Sequence, residues 1–134
     1  MKTSLATRIF LVISGITVIG IGGALLFAPA AFQASVGINL GDNVNLLSET
    51  RAPGGALFAA GMLIISGAFT QRIVHTALVI SSLIYLSYAV SRILSMVVDG
   101  IPHNTLVAAT GYEIVIGLVS LFLLLRLHTE RSRA

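Results

Sequence analysis

Apolar positions fall into four long blocks separated by short polar breaks. Ile9–Ala28 forms the first and stops at Pro29. The second begins between Asn45 and Pro53 and runs to Thr70. After the brief link Gln71–Arg72, the third covers Ile73–Val98 and ends at "DGIPHN". The fourth extends from Thr105 to about Leu125 and gives way to "RLHTERSRA". Each block reaches the roughly 20 residues that a helix needs to cross a bilayer. Three short or moderate connections join them, which favours antiparallel neighbours. The expected fold is an all-α membrane protein, an antiparallel four-helix transmembrane bundle. It forms a single domain over residues 1–134, with spans near 9–28, 48–70, 73–98 and 105–125. The first block is longer than the 7–15 residues typical of a secretory signal core, so an uncleaved helix is expected there.

Composition agrees with lipid as the solvent. The chain is 56% hydrophobic and only 10% charged, with a mean hydropathy of +0.98. A soluble domain carries about a quarter charged residues. There are no cysteines, which excludes disulfides and thiolate metal sites, and no tryptophan. The basic pI of about 10.0 reflects topology and not nucleic-acid binding. Of eight Lys and Arg residues, Lys2, Arg8, Arg72, Arg126, Arg131 and Arg133 all fall on one side of the four spans. The opposite connections, 29–47 and 99–104, contain none. The positive-inside rule then places both termini in the cytoplasm.

The other half of the bundle collects the remaining charges. In the third span Tyr85, Tyr88, Arg92, Ser95 and Asp99 recur at spacings of three and four, which marks one helix face. Thr110, Glu113, Gly117 and Ser120 do the same in the fourth. Glu113 lies about 12 Å along its helix from Thr105, near the midplane. An ionised side chain in hydrocarbon costs about 2.5–3.5 kcal/mol even on the lenient scale. Arg92 and Glu113 are therefore expected to face the interior, paired with each other or with neighbours. Glu49 and Arg51, in "NLLSETRAPGG" at the start of the second span, should reach the same layer as Arg92 and Asp99. Together they form one interior polar cluster, with Glu113 as its protonatable member because burial disfavours a carboxylate. Gly54 and Gly55 are expected to admit a neighbouring helix. Small-residue pairs Gly20/Ala24, Gly55/Ala59 and Ala56/Ala60 suggest further close packing. Phe32, Val36 and Leu40, four apart, suggest a short interfacial helix.

No nucleophile motif, phosphate loop, paired histidines or haem-type ligands occur. Asp99 and His103 make a poor metal site, and Asp99–Gly100 reads first as a turn. No cofactor or metal is expected.

The segments "SETRAPGG" (48–55), "YLSYAVSRILSMVVDGIP" (85–102) and "YEIVIG" (112–117) resemble a family of small bacterial four-span membrane proteins known only as a domain of unknown function. The arrangement is also distantly similar to DoxX-like four-helix membrane proteins. The resemblance implies the same fold and marks Glu49, Arg51, Gly54, Gly55, Arg92, Asp99, Gly100 and Glu113, without implying an activity.

The residues point to a non-enzymatic membrane protein whose outward half binds a small or amphipathic ligand. In this reading Arg51 and Arg92 hold a head group, Tyr85 and Tyr88 form walls, and Glu113 links binding to a proton. Two rivals stand beside it. One is a structural or assembly role, in which the charged cluster is a staple between helices and the outer small-residue faces bind another membrane protein or another copy of the chain. The other is an enzyme acting on a lipid or quinone, with Glu113 or Asp99 as acid or base.

Overall fold

The computed structural model describes residues 3–132. They form helices α1 (Leu5–Phe27), α2 (Pro29–Ala34), α3 (Val44–Phe69), α4 (Val74–Val98) and α5 (Asn104–Ser132). Among the described residues, α1, α3, α4 and α5 are long and apolar enough to cross a membrane. The basic residues Lys2 and Arg133 lie outside the described residues, as does the side chain of Arg131.

Local chemistry sets the boundaries. The Ser4 side chain caps α1 by accepting from the Thr7 N–H at 3.2 Å, which satisfies one of the open donors at a helix start. The helix stops at Ala28 because a residue before proline is disfavoured in helical geometry. Pro29 then opens α2, where its missing N–H costs nothing. Gly37 and Gly41 take positive φ values of 81° and 54° in the following turn. Asn43 caps α3 through the N–H groups of Asn45 and Leu46, at 3.0 and 3.3 Å. At the start of α5, His103 Nδ1 accepts from the Thr105 N–H at 3.3 Å, so this histidine is a cap. The second transmembrane helix thus begins earlier than the expected residue 48, and the fourth continues past 125.

α1 and α3 pack as an antiparallel pair along a seam of period 3.5. Leu11, Gly15, Val18, Gly22 and Leu25 form it on α1, and Gly54, Leu57, Gly61, Ile64 and Ala68 on α3; all are buried. Glycine alternates with a larger side chain on both helices, and the glycines meet across the seam, Gly22 against Gly54 and Gly61 against Gly15. A Cβ on Gly54 would stand 2.8 Å from the Leu26 nitrogen, and one on Gly61 would stand 2.7 Å from the Ile19 nitrogen. The backbones meet where only glycine fits, and van der Waals packing of this kind drives helix association in lipid.

The expected small-residue pairs differ from this seam. Gly20 would meet nothing within 4 Å, and Gly55 meets only Leu26 Cδ1 at 3.8 Å. Of the Gly54–Gly55 pair, only Gly54 admits a neighbouring helix. The reason is geometric: the working glycines, seven residues apart, keep the phase of a seam of period 3.5, whereas Gly20 and Gly55 stand off that line.

α4 packs against α3 near the Gln71–Ile73 turn, where Gly67 faces Ala77. It then packs along α5, where Gly117 faces Leu86 and the Ser81 and Ser120 hydroxyls share a buried 2.7 Å hydrogen bond. Bonds of this type in membranes are worth about 0.6 kcal/mol. One end of the bundle carries α2 and the 99–103 turn, here the connector end. The other carries Arg8, Arg72 and Arg126 and is the terminal end.

The outer faces are covered with large apolar side chains, including Ile9, Ile13, Ile16, Leu83, Val90, Leu94, Phe122 and Leu125. Lipid contact is what such a surface requires. The expected interfacial helix is limited to the six residues of α2. Val36 and Leu40 are buried and Phe32 packs on the core, so these residues plug the connector end and do not lie on the membrane surface.

Candidate functional site

The stripe expected on the fourth span is realised. Thr110, Glu113 and Ser120 are buried, and Gly117 packs against α4. On α4 the stripe begins inside the bundle at Tyr85 and leaves it progressively: Tyr88 and Arg92 are half-buried, Ser95 and Asp99 exposed.

Arg92 and Glu113 meet across the α4–α5 interface. Arg92 Nε donates to both carboxylate oxygens of Glu113, each at 3.1 Å. The Arg92 side chain remains 29% accessible and that of Glu113 11%. This is not the parallel fork in which guanidinium and carboxylate exhaust each other. A single nitrogen serves both oxygens. The two Nη groups form no further hydrogen bond among the described residues. Tyr88, one turn earlier, lies under the guanidinium, 5.9 Å from its ring centroid. A cation over an aromatic face is stabilised there without losing its donors.

The tyrosines below close the interior. The Tyr85 hydroxyl donates to the Ser14 carbonyl at 2.8 Å, tying α4 to α1 across the bundle. Its ring meets Tyr112 edge-on with centroids 6.1 Å apart. Thr17 Oγ1 donates to the Ile13 carbonyl at 3.0 Å and lies 3.0 Å from the Tyr112 hydroxyl. A threonine has one hydroxyl proton, so Tyr112 donates to Thr17, joining α5 to α1.

Two spaces share Arg92 and Tyr88. An interior recess of about 70 Å³ is walled by apolar residues such as Val18, Leu57 and Ile84, with Tyr85, Tyr112, Arg92 and Glu113. On the other side lies a shallow surface groove of about 350 Å³ along α4, lined by Ser87, Tyr88, Ser91, Arg92 and Ser95. Sequence reading missed Ser87 and Ser91, although their spacing of four from Ser95 was visible. It also missed Thr17, which nothing in the sequence pairs with Tyr112.

The expected single cluster separates into parts. Arg92–Glu113 forms an ion pair, with Tyr85 and Tyr88 close by. Asp99 instead closes α4 and accepts from Ser95 Oγ at 3.0 Å. Arg51 Nη1 donates to the Leu26 carbonyl, in the last turn of α1, where carbonyls lack helical partners and a cation is favoured. Glu49 is exposed and joins no ion pair among the described residues. Thr50 explains the separation: it is buried on the line that the α3 seam continues. Glu49 and Arg51 therefore project about 100° to either side of the seam. Arg51 curls back to cap α1.

Among curated proteins and among solved structures, no match to this chain is found. A family profile described as a domain of unknown function (DUF4345) matches residues 6–124. That stretch takes in most of the chain, including the glycine seam and both members of the ion pair, and the chain belongs to this family.

Proposed function

We propose that this protein is a non-enzymatic integral membrane protein that binds a small or amphipathic ligand with a polar or anionic head group at Arg92. One observation carries the reading. Arg92 is oriented by Glu113 through Nε alone, and its side chain lines both the interior recess and the α4 groove. A guanidinium held this way is ready to take a phosphate or carboxylate in a bidentate contact. The interior recess, about 70 Å³, is far below the roughly 300–1,000 Å³ of a pocket that encloses a drug-sized ligand. A larger ligand therefore keeps its head at Arg92 and its apolar part outside, in the α4 groove and the surrounding lipid. That is the behaviour of an amphiphile. Glu113, sharing Arg92 with the incoming head group, is the acceptor through which binding couples to a proton.

The test is retention. Native mass spectrometry of protein released from mild detergent should show an adduct on the wild type that falls about tenfold or more in Arg92→Ala, a loss of at least one hydrogen-bonded charge contact. An unchanged adduct in Arg92→Ala would overturn the assignment.

The assembly role has its own support in Ser87, Ser91 and Ser95, which are exposed on one face of α4, since small polar faces favour helix association. It predicts no adduct, and an oligomer that disappears on substituting these serines.

The proposed setting is a bacterial inner membrane with both termini in the cytoplasm. Arg8, Arg72 and Arg126 at the terminal end support this through the positive-inside rule. A carboxy-terminal green fluorescent protein fusion is expected to fluoresce and a phosphatase fusion at the same place to be inactive. The reverse pattern would invert the topology.

A further inference from the structure

The consecutive glycines of α3 do different work. Gly54 is consumed by the α1 contact, whereas Gly55 faces open space, its nearest neighbour an ordinary 3.8 Å from where a Cβ would stand. Nothing in the bundle's own packing needs a glycine at 55. With Ala52 and Ala56, Gly55 instead lines a trough of about 700 Å³ along α3, beside the end of α1 at the connector end. Leu26 and Leu47 contribute apolar walls, and Ser48 and Arg51 are the hydrogen-bonding side chains.

The depth of this trough is set by the arginine. Arg51 bonds the carbonyl of Leu26, the penultimate residue of α1, so its guanidinium is held level with the end of a transmembrane span. That is where lipid head groups lie. From Arg51 to Ala56 the trough follows α3 for about 7.5 Å at 1.5 Å per residue, downward from this level into the hydrocarbon. A cation at head-group depth above a smooth apolar channel has the shape and charge order of a phospholipid. Arg51 uses one nitrogen on Leu26 and joins no ion pair among the described residues, so its charge is left to be matched from the membrane.

We infer that the α1–α3 trough is a binding site for an anionic phospholipid, its phosphate on Arg51 and Ser48 and one acyl chain lying over Gly55 and Ala56. The site shares no lining residue with the Arg92 recess or groove and stands independently of the ligand proposed there. A net negative lipid is favoured because Arg51 supplies a positive charge with no acidic side chain in the lining to receive a choline or amine.

The probe is delipidated protein in detergent, titrated with phosphatidylglycerol or phosphatidylcholine of identical chains and read by native mass spectrometry. Gly55→Leu fills the trough while leaving Arg51 and the Gly54 contact in place. Arg51→Gln keeps a donor for the Leu26 carbonyl and removes the charge. The wild type is expected to bind phosphatidylglycerol about tenfold more tightly than Gly55→Leu does. In Arg51→Gln the preference for phosphatidylglycerol over phosphatidylcholine should fall to about one. Each comparison is repeated in an Arg92→Ala background, which removes the other proposed head-group contact, and the same differences are expected there, which separates this site from the other. If Gly55→Leu binds as the wild type does, or Arg51→Gln keeps the wild-type head-group preference, the inference is wrong. Should Arg51→Gln fail to fold, the Gly55→Leu comparison decides alone.

Discussion

Replacing Gly22 by leucine is expected to cost the bundle its fold, while the same change at Gly20 leaves it intact. The two glycines are two residues apart on α1 and indistinguishable by composition. A Cβ at Gly22 would press into the α3 backbone around Phe58 and come within 2.8 Å of the Gly54 carbonyl oxygen and 2.9 Å of the Leu57 carbonyl carbon. At Gly20 it would meet nothing within 4 Å. Backbone cannot turn away as a flexible side chain can, so the helices must separate. Separation would break the Gly15–Gly61 contact lower on the same seam. Overpacking of ordinary cores costs about 1–3 kcal/mol. A backbone contact repeated along a seam belongs at or above the top of that range, against a total stability of about 5–15 kcal/mol for a typical domain. The detergent-solubilised melting temperature of Gly22→Leu should fall by roughly 10 °C or more relative to Gly20→Leu, with loss of a monodisperse peak in size-exclusion chromatography. Gly20→Leu gains a lipid-facing side chain and should melt near the wild type. If the two variants melt together, the α1–α3 seam does not hold the bundle.

This contrast also shows where reading the sequence succeeds and where it stops. The four membrane spans follow from solvent alone: a chain this apolar has nowhere but lipid to put its surface, and Pro29, Gln71–Arg72 and Asp99–Asn104 punctuate it. The burial of Thr110, Glu113, Gly117 and Ser120 was legible because one helix's own periodicity fixes which residues share a face. That Arg92 and Glu113 would turn inward and find partners followed from the cost of charge in hydrocarbon, while the choice of each other over a neighbour came from the structure. The glycine seam was written in the sequence too, as Gly15/Gly22 and Gly54/Gly61. It is missed by a search for four-residue spacings, because the pair coils at a period of 3.5.

What a sequence cannot supply is the azimuth of one helix against another. Glu49, Arg51 and Asp99 lie at the right height to join Arg92, and height is all that helix length gives. Thr50 turns toward the α1 seam, which sends Arg51 to the end of α1 and Glu49 to the surface. Asp99 stands just past the last turn of α4, where Ser95 can reach it and α5 cannot. Gly55 shows the same limit: consecutive glycines point about 100° apart, so a pair of them cannot both serve one interface.

The ion pair itself gives the second large expected effect, and it separates a binding site from a staple. Glu113→Ala strands Arg92 partly in hydrocarbon, and breaking a buried pair from one side costs about 3–5 kcal/mol. Arg92 is 29% accessible and long enough to reach toward the head groups, so the expected loss lies at the lower end of that range. Arg92→Ala strands the carboxylate instead. A carboxylate can lower its cost by taking up a proton, whereas a guanidinium cannot give one up. The expected loss is therefore smaller, about 1–2 kcal/mol. The double variant Arg92→Met/Glu113→Met leaves no charge behind and fills similar volume. Replacements of this kind are often neutral or stabilising, so its melting temperature should return to that of the wild type. Its ligand retention should not return, because the group that takes the head is gone. Thermal melts and native mass spectrometry on the same three preparations read both quantities. A double variant as unstable as Glu113→Ala would mean that the pair is held for the helices it joins. One that recovers stability and keeps its adduct would mean that the ligand sits elsewhere. Only recovery of the fold with loss of the adduct fits a charge maintained at a cost in stability for the sake of what it binds.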